Sequence, residues 1–251
     1  MAAFASMAFL GGLVAGSFVT VVSHRVPRGA SIVGPRSLCP YCGSQIAAYD
    51  NVPVISWLAL RGRGRCCGER ISARYPLAEL ALGGLFAAVA LRFRGDPAEL
   101  ALGLVFVAAL VAVTITDLER RVIPNAILVV TAAIGIAIAA VADPASLPER
   151  LLSALAAGGL LFTAALAYPR GMGMGDVKLA ALMGLFLGRS VAPALLVAFA
   201  AGTLAGLAIM AREGMAARKR AIPFGPFLAL GGLVGMFAGP VLVDAYLGGF
   251  G

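Results

Sequence analysis

The segment YPRGMGMGDVKLAALMGLFLG, residues Tyr168–Gly188, has a single acidic residue, Asp176, between a glycine-rich stretch and an apolar run. The apolar run predicts a helix in a lipid bilayer, where an ionisable side chain is costly and therefore indicates a functional site. A helix cap is the alternative interpretation, because aspartate is a favoured N-cap residue and suits the positive end of the helix dipole. The rest of the chain distinguishes the two.

The composition indicates a membrane protein. The 251 residues are 61% hydrophobic and 13% charged, whereas a soluble globular chain is about 25% charged. Crossing a bilayer takes about 20 apolar residues. Eight apolar runs are predicted at about 3–22, 76–91, 98–116, 122–141, 151–168, 176–188, 191–211 and 223–247. The expected fold class is therefore an all-α polytopic membrane protein with about eight transmembrane helices.

Basic residues predict the orientation. Alternation of the loops puts four segments on one side of the membrane: 23–75, 117–121, 169–178 and 212–220. The other side contains only Arg92, Arg94, Arg150 and Arg189 among the lysines and arginines. By the positive-inside rule the first side is cytoplasmic, and both termini lie outside. The net charge of +8 thus reflects topology and contact with membrane lipid, and no basic face with interleaved aromatic residues indicates nucleic-acid binding.

All four cysteines lie in the one hydrophilic insertion, residues 23–75: Cys39 and Cys42 in CPYCG, and Cys66 and Cys67 in GRGRCCGERIS. Cytoplasmic thiols stay reduced, so metal binding is favoured over a disulfide framework. The C-x-x-C spacing can place two thiolates on one zinc ion, and a Cys₄ site would stabilise a module with little core. The second pair is adjacent, which is unusual for two ligands of one metal. Free thiols therefore remain the alternative to a structural zinc site.

Two aspartates are predicted at the same membrane surface. Asp117, in AVTITDLERRVIPN, ends the third apolar run, where the negative end of a helix dipole disfavours an anion. Asp176 begins the sixth run on the same cytoplasmic side. Two adjacent carboxylates cannot easily both ionise, which suits peptide hydrolysis: one activates water and the other polarises the scissile carbonyl. The glycines before Asp176 permit close backbone approach.

Other functional classes are less well supported by the residues. No serine, histidine and acid trio is available, and the single histidine, His24, excludes most zinc-protease patterns. The segment GMGMGD lacks the G-x-G-x-x-G spacing of a dinucleotide-binding loop. A proton-coupled carrier also uses intramembrane acids. From spacing alone, a paired-aspartate protease and a carrier both remain open.

Six blocks in order resemble the type IV prepilin peptidases, whose bacterial members combine a leader peptidase and an N-methyltransferase. The blocks are GSFVTVVSHRVP (Gly16–Pro27), CPYCG with YDNVPVISWLALRGR (Tyr49–Arg63), ISARYPLAEL (Ile71–Leu80), DLERRVIPN (Asp117–Asn125), GMGDVK (Gly173–Lys178) and AIPFGPFLALGG (Ala221–Gly232). The match, and the lack of recognisable paired halves, argue against the carrier.

The resemblance implies an aspartic protease of the inner membrane, acting at the cytoplasmic face with Asp117 and Asp176 as its dyad. Its expected substrates are prepilins or pseudopilins, cut after a glycine that precedes the substrate's hydrophobic helix. The new amino terminus would be methylated with S-adenosylmethionine, although no motif for that cofactor is recognisable in the sequence. The implied domains are a first transmembrane helix at 1–22, a cysteine module at 23–75 with a possible zinc site, and a transmembrane peptidase domain at 76–251.

Five further residues belong to the blocks that the resemblance assigns to the site: Gly173, Gly175, Lys178, Pro223 and Gly225. For Lys178 the alternatives are a lysine that extends to the membrane interface and a cation beside the dyad. Pro223 and Gly225 either start the eighth helix or also shape the active site.

Two positions depart from the family pattern. Gly64 stands where the family has its third cysteine, with Cys66 two positions later, and Thr20 stands where asparagine is common. A protease-only member that lacks methylation therefore remains an alternative. The sequence predicts no particular oligomeric state.

Overall fold

The computed structural model describes residues 1–34, 37–39, 41–169, 171–214 and 222–248. Pro40 of the CPYCG block and Ala221 of the last block lie outside the described residues. The helices are α1 (Ala2–Arg25), α2 (Ile55–Ala59), α3 (Arg74–Arg92), α4 (Pro97–Arg120), α5 (Asn125–Ala142), α6 (Leu147–Ala167), α7 (Met174–Leu187), α8 (Val191–Glu213) and α9 (Gly225–Gly248). Two isolated antiparallel bridges lie in the cysteine module.

The predicted all-α membrane fold is confirmed. Within the described ranges, seven helical stretches are long and apolar enough to cross a membrane. Each of the eight predicted apolar runs corresponds to one helix. Helices α7 and α8 count as one apolar stretch, Met174–Glu213, because only the short 3₁₀ turn Gly188–Ser190 separates them. Helix α7 has only 14 residues, about 21 Å at 1.5 Å per residue, which is shorter than a hydrocarbon core of about 30 Å.

The chain divides into two compact units, and the first is Met1–Asp96. Here α1 packs closely on α3, because glycines allow their backbones to meet. A Cβ on Gly12 would lie 2.7 Å from the Cα of Gly83. Buried Glu79 of α3 accepts a hydrogen bond of 2.7 Å from the backbone N–H of Val54, and so connects the start of α2 to the membrane helix.

The second unit, Pro97–Gly251, is built around α4. Phe106 and Val113 of α4 are almost fully buried, and the Phe106 ring stacks on Phe186 of α7 with 5.1 Å between centroids. On α9, Gly232 is directly against Phe106, since a Cβ there would lie 3.2 Å from the ring. Helix α4 is thereby fixed between α7 and α9.

The C-terminal end of α7 is held by a buried charge. Arg150 of α6 is buried and pairs with Glu99 of α4. It donates further hydrogen bonds to Ser146 Oγ at 2.9 Å and to the Phe186 carbonyl at 2.7 Å. Because the last carbonyls of a helix lack intrahelical partners, Arg150 satisfies one of them where α7 ends.

Helices α6 and α7 are in backbone contact at Gly184, and we predict that Gly184→Ala lowers the free energy of unfolding by about 1–3 kcal/mol. A Cβ at this position would lie 2.6 Å from the Cα of Ala154, and the backbone must move to accept it. The measurement is thermal unfolding of the purified protein in detergent. Gly159→Ala is the matched control, since its Cβ meets no described atom within 4 Å. Equal stability of the two variants would contradict close α6–α7 packing.

Candidate active site and cysteine cluster

Asp117 lies in the last turn of α4 and is only 5% exposed. Its Oδ2 accepts a hydrogen bond of 2.8 Å from the backbone N–H of Gly225, the first residue of α9. The charge of Arg121, in the turn after α4, also acts on this carboxyl group. The carboxylate that ends α4 therefore has a backbone donor from a helix more than one hundred residues later in the chain.

Gly225 is close enough to this carboxyl group to exclude a side chain. A Cβ on Gly225 would lie 2.7 Å from Asp117 Oδ2 and 3.1 Å from its Cγ. The N–H of Gly225 is positioned by the preceding residue: Phe224 stacks on Phe199 of α8 with 5.6 Å between ring centroids. Pro223, half-buried, comes just before this anchor. Gly225 is thus both the first residue of α9 and a contact of Asp117, whereas a role of Pro223 in the site stays a prediction.

Asp176 is the third residue of α7 and is partly exposed. Its Oδ2 accepts a hydrogen bond of 3.2 Å from the backbone N–H of Gly173, which is the N3-to-N-cap half of a capping box. Asp176 therefore does stabilise the helix start, as the capping interpretation holds. Asp117 also acts electrostatically on Asp176, so the cap alone does not describe the surroundings of this carboxyl group.

Two contacts join the segment of Asp176 to the segment of Asp117. A Cβ on Gly175 would lie 2.9 Å from the Cβ of Ile123, so a glycine is needed where α7 meets the loop after α4. Lys178 Nζ donates a hydrogen bond of 2.9 Å to Asn125 Oδ1, at the start of α5. The two blocks that contain the aspartates are thus adjacent in space although 59 positions separate the two acids.

Lys178 is exposed, and its partner is an amide. It thus joins α5 to α7 beside Asp176, a contact that neither interpretation of the sequence included. Asn125 was not singled out as a site residue, although it lies in the DLERRVIPN block. Phe224 was also missed, because its role depends on a ring contact with α8.

The four predicted metal ligands come together. The Sγ atoms of Cys39, Cys42, Cys66 and Cys67 all lie within 4.8 Å of one another. The Cys42–Cys66 separation is 3.3 Å, Cys39–Cys67 is 3.6 Å, and Cys66–Cys67 is 3.9 Å. A tetrahedral zinc with Zn–S distances of about 2.3 Å requires sulfur pairs about 3.8 Å apart. The sulfur set therefore fits one structural zinc ion.

The thiols differ in acidity. Hydrogen bonds with Ser44 lower the pKa of Cys42 to about 6, whereas the hydrogen bond with Cys42 raises the pKa of Cys66 to about 12. Thiolates, not thiols, bind metals, so metal binding at this cluster would release protons and depend on pH.

Comparisons with known proteins cover both units. A family model for the Bacterial Peptidase A24 N-terminal domain matches residues 10–93, and one for the Type IV leader peptidase family matches residues 104–210. The protein named Prepilin leader peptidase/N-methyltransferase from Bacillus subtilis (strain 168) is 36% identical, with 96% of this chain and 97% of the relative covered. The chain belongs to the type IV leader peptidase family. Two further relatives have the same name. The protein from Burkholderia pseudomallei (strain K96243) is 36% identical, with 91% of this chain and 83% of the relative covered. The protein from Stutzerimonas stutzeri is 34% identical, with 98% of this chain and 94% of the relative covered.

Most of the candidate site residues lie within the matched ranges. Asp117 and Asp176 fall within the part that matches the leader peptidase family, and the four cysteines fall within the N-terminal match. Gly225 lies beyond residue 210, so its place beside Asp117 comes from the structure alone. No solved structure matches this chain.

Proposed function

We propose that this chain is a membrane aspartic endopeptidase that removes the leader peptide from prepilins or pseudopilins and then methylates the new amino terminus. The family and the names of the relatives support the reaction. The single observation that supports the chemistry is the contact between the two segments that carry the acids: Gly175, next to Asp176, lies against Ile123 in the loop that follows Asp117.

The two aspartates suit a water-activated hydrolysis. The ionised carboxylate takes a proton from a water molecule, which attacks the scissile carbonyl carbon, while the protonated partner donates a hydrogen bond to the carbonyl oxygen. Proton transfer to the leaving amine then completes cleavage. The backbone N–H groups of Gly225 and Gly173 each occupy an Oδ2 atom, so in this proposal Oδ1 of each aspartate faces the substrate or the water.

The environment of the two acids supports a division of roles. Asp117 is nearly buried and is held by α9, whereas Asp176 is partly exposed at a helix start that is rich in glycine. In the proposal, the extended cleavage segment lies along Gly173 and Gly175, where no side chain obstructs a substrate backbone. We assign the peptidase chemistry to residues 76–251, which include both aspartates.

The proposed location is the cytoplasmic face of the inner membrane, with both termini outside. The positions of the basic residues support this orientation. A site at the interface can reach a basic leader in the cytoplasm while the apolar helix of the substrate stays in lipid. In this proposal zinc at the cysteine cluster is structural, and S-adenosylmethionine supplies the methyl group when bound.

The test is cleavage of a purified prepilin by membranes containing this chain, with the product measured by mass spectrometry. We expect loss of the leader after the glycine that precedes the hydrophobic helix. With S-adenosylmethionine present, the product should gain one methyl group. Omission of S-adenosylmethionine is the control and should leave cleavage intact. Cleavage without any methyl gain would leave the protease-only alternative, and an intact prepilin would contradict the proposal.

A further inference from the structure

The cysteine module contains a tight loop that begins at Cys39. The backbone N–H of Cys39 donates to the carbonyl of Ser44 at 2.9 Å, and the N–H of Gly43 donates back to the carbonyl of Cys39 at 2.9 Å. An antiparallel bridge between Leu38 and Gln45 closes the base of the loop. This arrangement directs Cys39 and Cys42 to the same side.

A second loop has the same hydrogen bonds at Gly64. The N–H of Gly64 donates to the carbonyl of Glu69 at 2.8 Å, and the N–H of Gly68 donates to the carbonyl of Gly64 at 2.8 Å. An antiparallel bridge between Arg63 and Arg70 closes this loop as well. The two loops are therefore copies of one backbone motif.

The copies correspond residue by residue at a constant offset along the chain. The counterparts are Cys39 and Gly64, Cys42 and Cys67, Gly43 and Gly68, and Ser44 and Glu69. Both later glycines have left-handed backbone, with φ of 73° at Gly43 and 71° at Gly68. The hydrogen bonds of the thiols also correspond: Cys42 has a backbone hydrogen bond with Ser44, and Cys67 has one with Glu69.

The correspondence identifies the position that lacks a ligand. Gly64 occupies the place of Cys39 in the second loop, and a Cβ built on it would lie 3.7 Å from Cys67 Sγ and 3.8 Å from Cys66 Sγ. These are ordinary contact distances, and Gly64 does not have the left-handed backbone of Gly43 and Gly68. A side chain at position 64 would thus point into the sulfur cluster without strain.

Cys66 supplies a sulfur to the same cluster from two positions later. Its Sγ lies 3.3 Å from Cys42 Sγ and 3.9 Å from Cys67 Sγ. It also lies within 4.8 Å of Cys39 Sγ, as expected for a side chain directed at a shared centre.

We propose that Cys66 replaces the ligand absent at position 64, so that one divalent, thiophilic metal ion is bound by Cys39, Cys42, Cys66 and Cys67. The adjacent pair Cys66–Cys67 is then a relocated ligand pair in a duplicated metal-binding loop. The inference does not depend on the proposed peptidase activity, because the two loops and the sulfur positions define it alone.

The test moves the ligand back to position 64. The full-length chain is purified in detergent, stripped of metal and titrated with Co²⁺, whose thiolate charge-transfer bands report the number of bound sulfurs. Wild type should bind one ion with the spectrum of a tetrahedral four-thiolate site. Cys66→Ser should weaken binding by at least about 100-fold. Gly64→Cys combined with Cys66→Ser should recover the four-thiolate spectrum and wild-type affinity to within about tenfold.

The matched control is Gly64→Ala combined with Cys66→Ser, which adds the Cβ without the sulfur and should bind no better than Cys66→Ser. Absence of Co²⁺ binding by wild type would overturn the proposal. Wild-type affinity in Cys66→Ser would also overturn it, since Cys66 would not be a ligand. A Gly64→Cys rescue variant that binds no better than its Gly64→Ala control would overturn the equivalence of positions 64 and 39.

Discussion

Replacement of Asp117 or Asp176 by asparagine is expected to lower the rate of prepilin cleavage by about 10²–10⁴-fold in each single variant. Asparagine keeps the shape of the side chain, and its amide oxygen can still accept the hydrogen bond from Gly225 or Gly173. It cannot exchange a proton with water or with the leaving amine, so the chemical step fails while the fold is retained. Initial rates of leader removal in membranes, normalised to the amount of protein, measure the effect.

Asp143→Asn is the matched control, because it makes the same change at an acid in the loop after α5, at the far end of α5 from Asn125. Its cleavage rate should equal that of wild type. The double variant Asp117→Asn with Asp176→Asn should be no slower than the worse single variant, since two groups that act as one unit are not additive. Wild-type cleavage by either single variant would show that this aspartate is a cap or a loop acid.

The sequence was sufficient for those parts of the molecule that depend on local pattern. Apolar runs predicted the long helices because a bilayer requires about 20 apolar residues in a row. Asp117 could be selected as a candidate site residue because an anion at a helix C-terminus is unfavourable and needs another explanation. Asp176 could be selected as a candidate because it is an isolated acid beside an apolar run. Both inferences need only the sequence neighbours of one residue.

Contacts between distant segments could not be predicted in this way. Asn125 is polar and lies in a loop block, and nothing local distinguishes it until Lys178 of α7 is found 2.9 Å away. Phe224 looks like any apolar residue before a helix, yet its ring contact with Phe199 positions the start of α9. In each case the decisive partner is on another helix.

In the cysteine module, the linear spacing of the second pair argued against a metal site that the folded structure supports. Linear spacing made the adjacent pair Cys66–Cys67 look unsuited to a single metal. In the folded module the four sulfurs nevertheless cluster within 4.8 Å, because a second loop repeats the backbone of the first. Ligand spacing along a chain is therefore a guide to metal binding only when the loop geometry is known.

Gly225→Ala is the second change for which we expect a large effect, a loss of about 10²-fold in kcat for prepilin cleavage. The new Cβ would lie 2.7 Å from Asp117 Oδ2, inside the contact distance of the two atoms. Either the carboxyl group or the start of α9 must shift. The Phe224–Phe199 contact holds α9, so we expect the carboxyl group of Asp117 to move and the dyad to lose its geometry. Misplacement of a catalytic group by about 1 Å is sufficient for a loss of this size.

Two features separate this effect from a general loss of stability. Gly206→Ala makes the same change within α8, where a Cβ meets no described atom within 4 Å, and it should cleave at the wild-type rate. Gly225→Ala should also leave thermal unfolding in detergent close to that of wild type, because the clash is with a side-chain carboxyl group and not with backbone. A rise in KM or a fall in stability, with kcat unchanged, would contradict the assignment. A loss confined to kcat would mean that this glycine is needed for the position of Asp117, since the hydrogen-bonding N–H remains in the alanine variant.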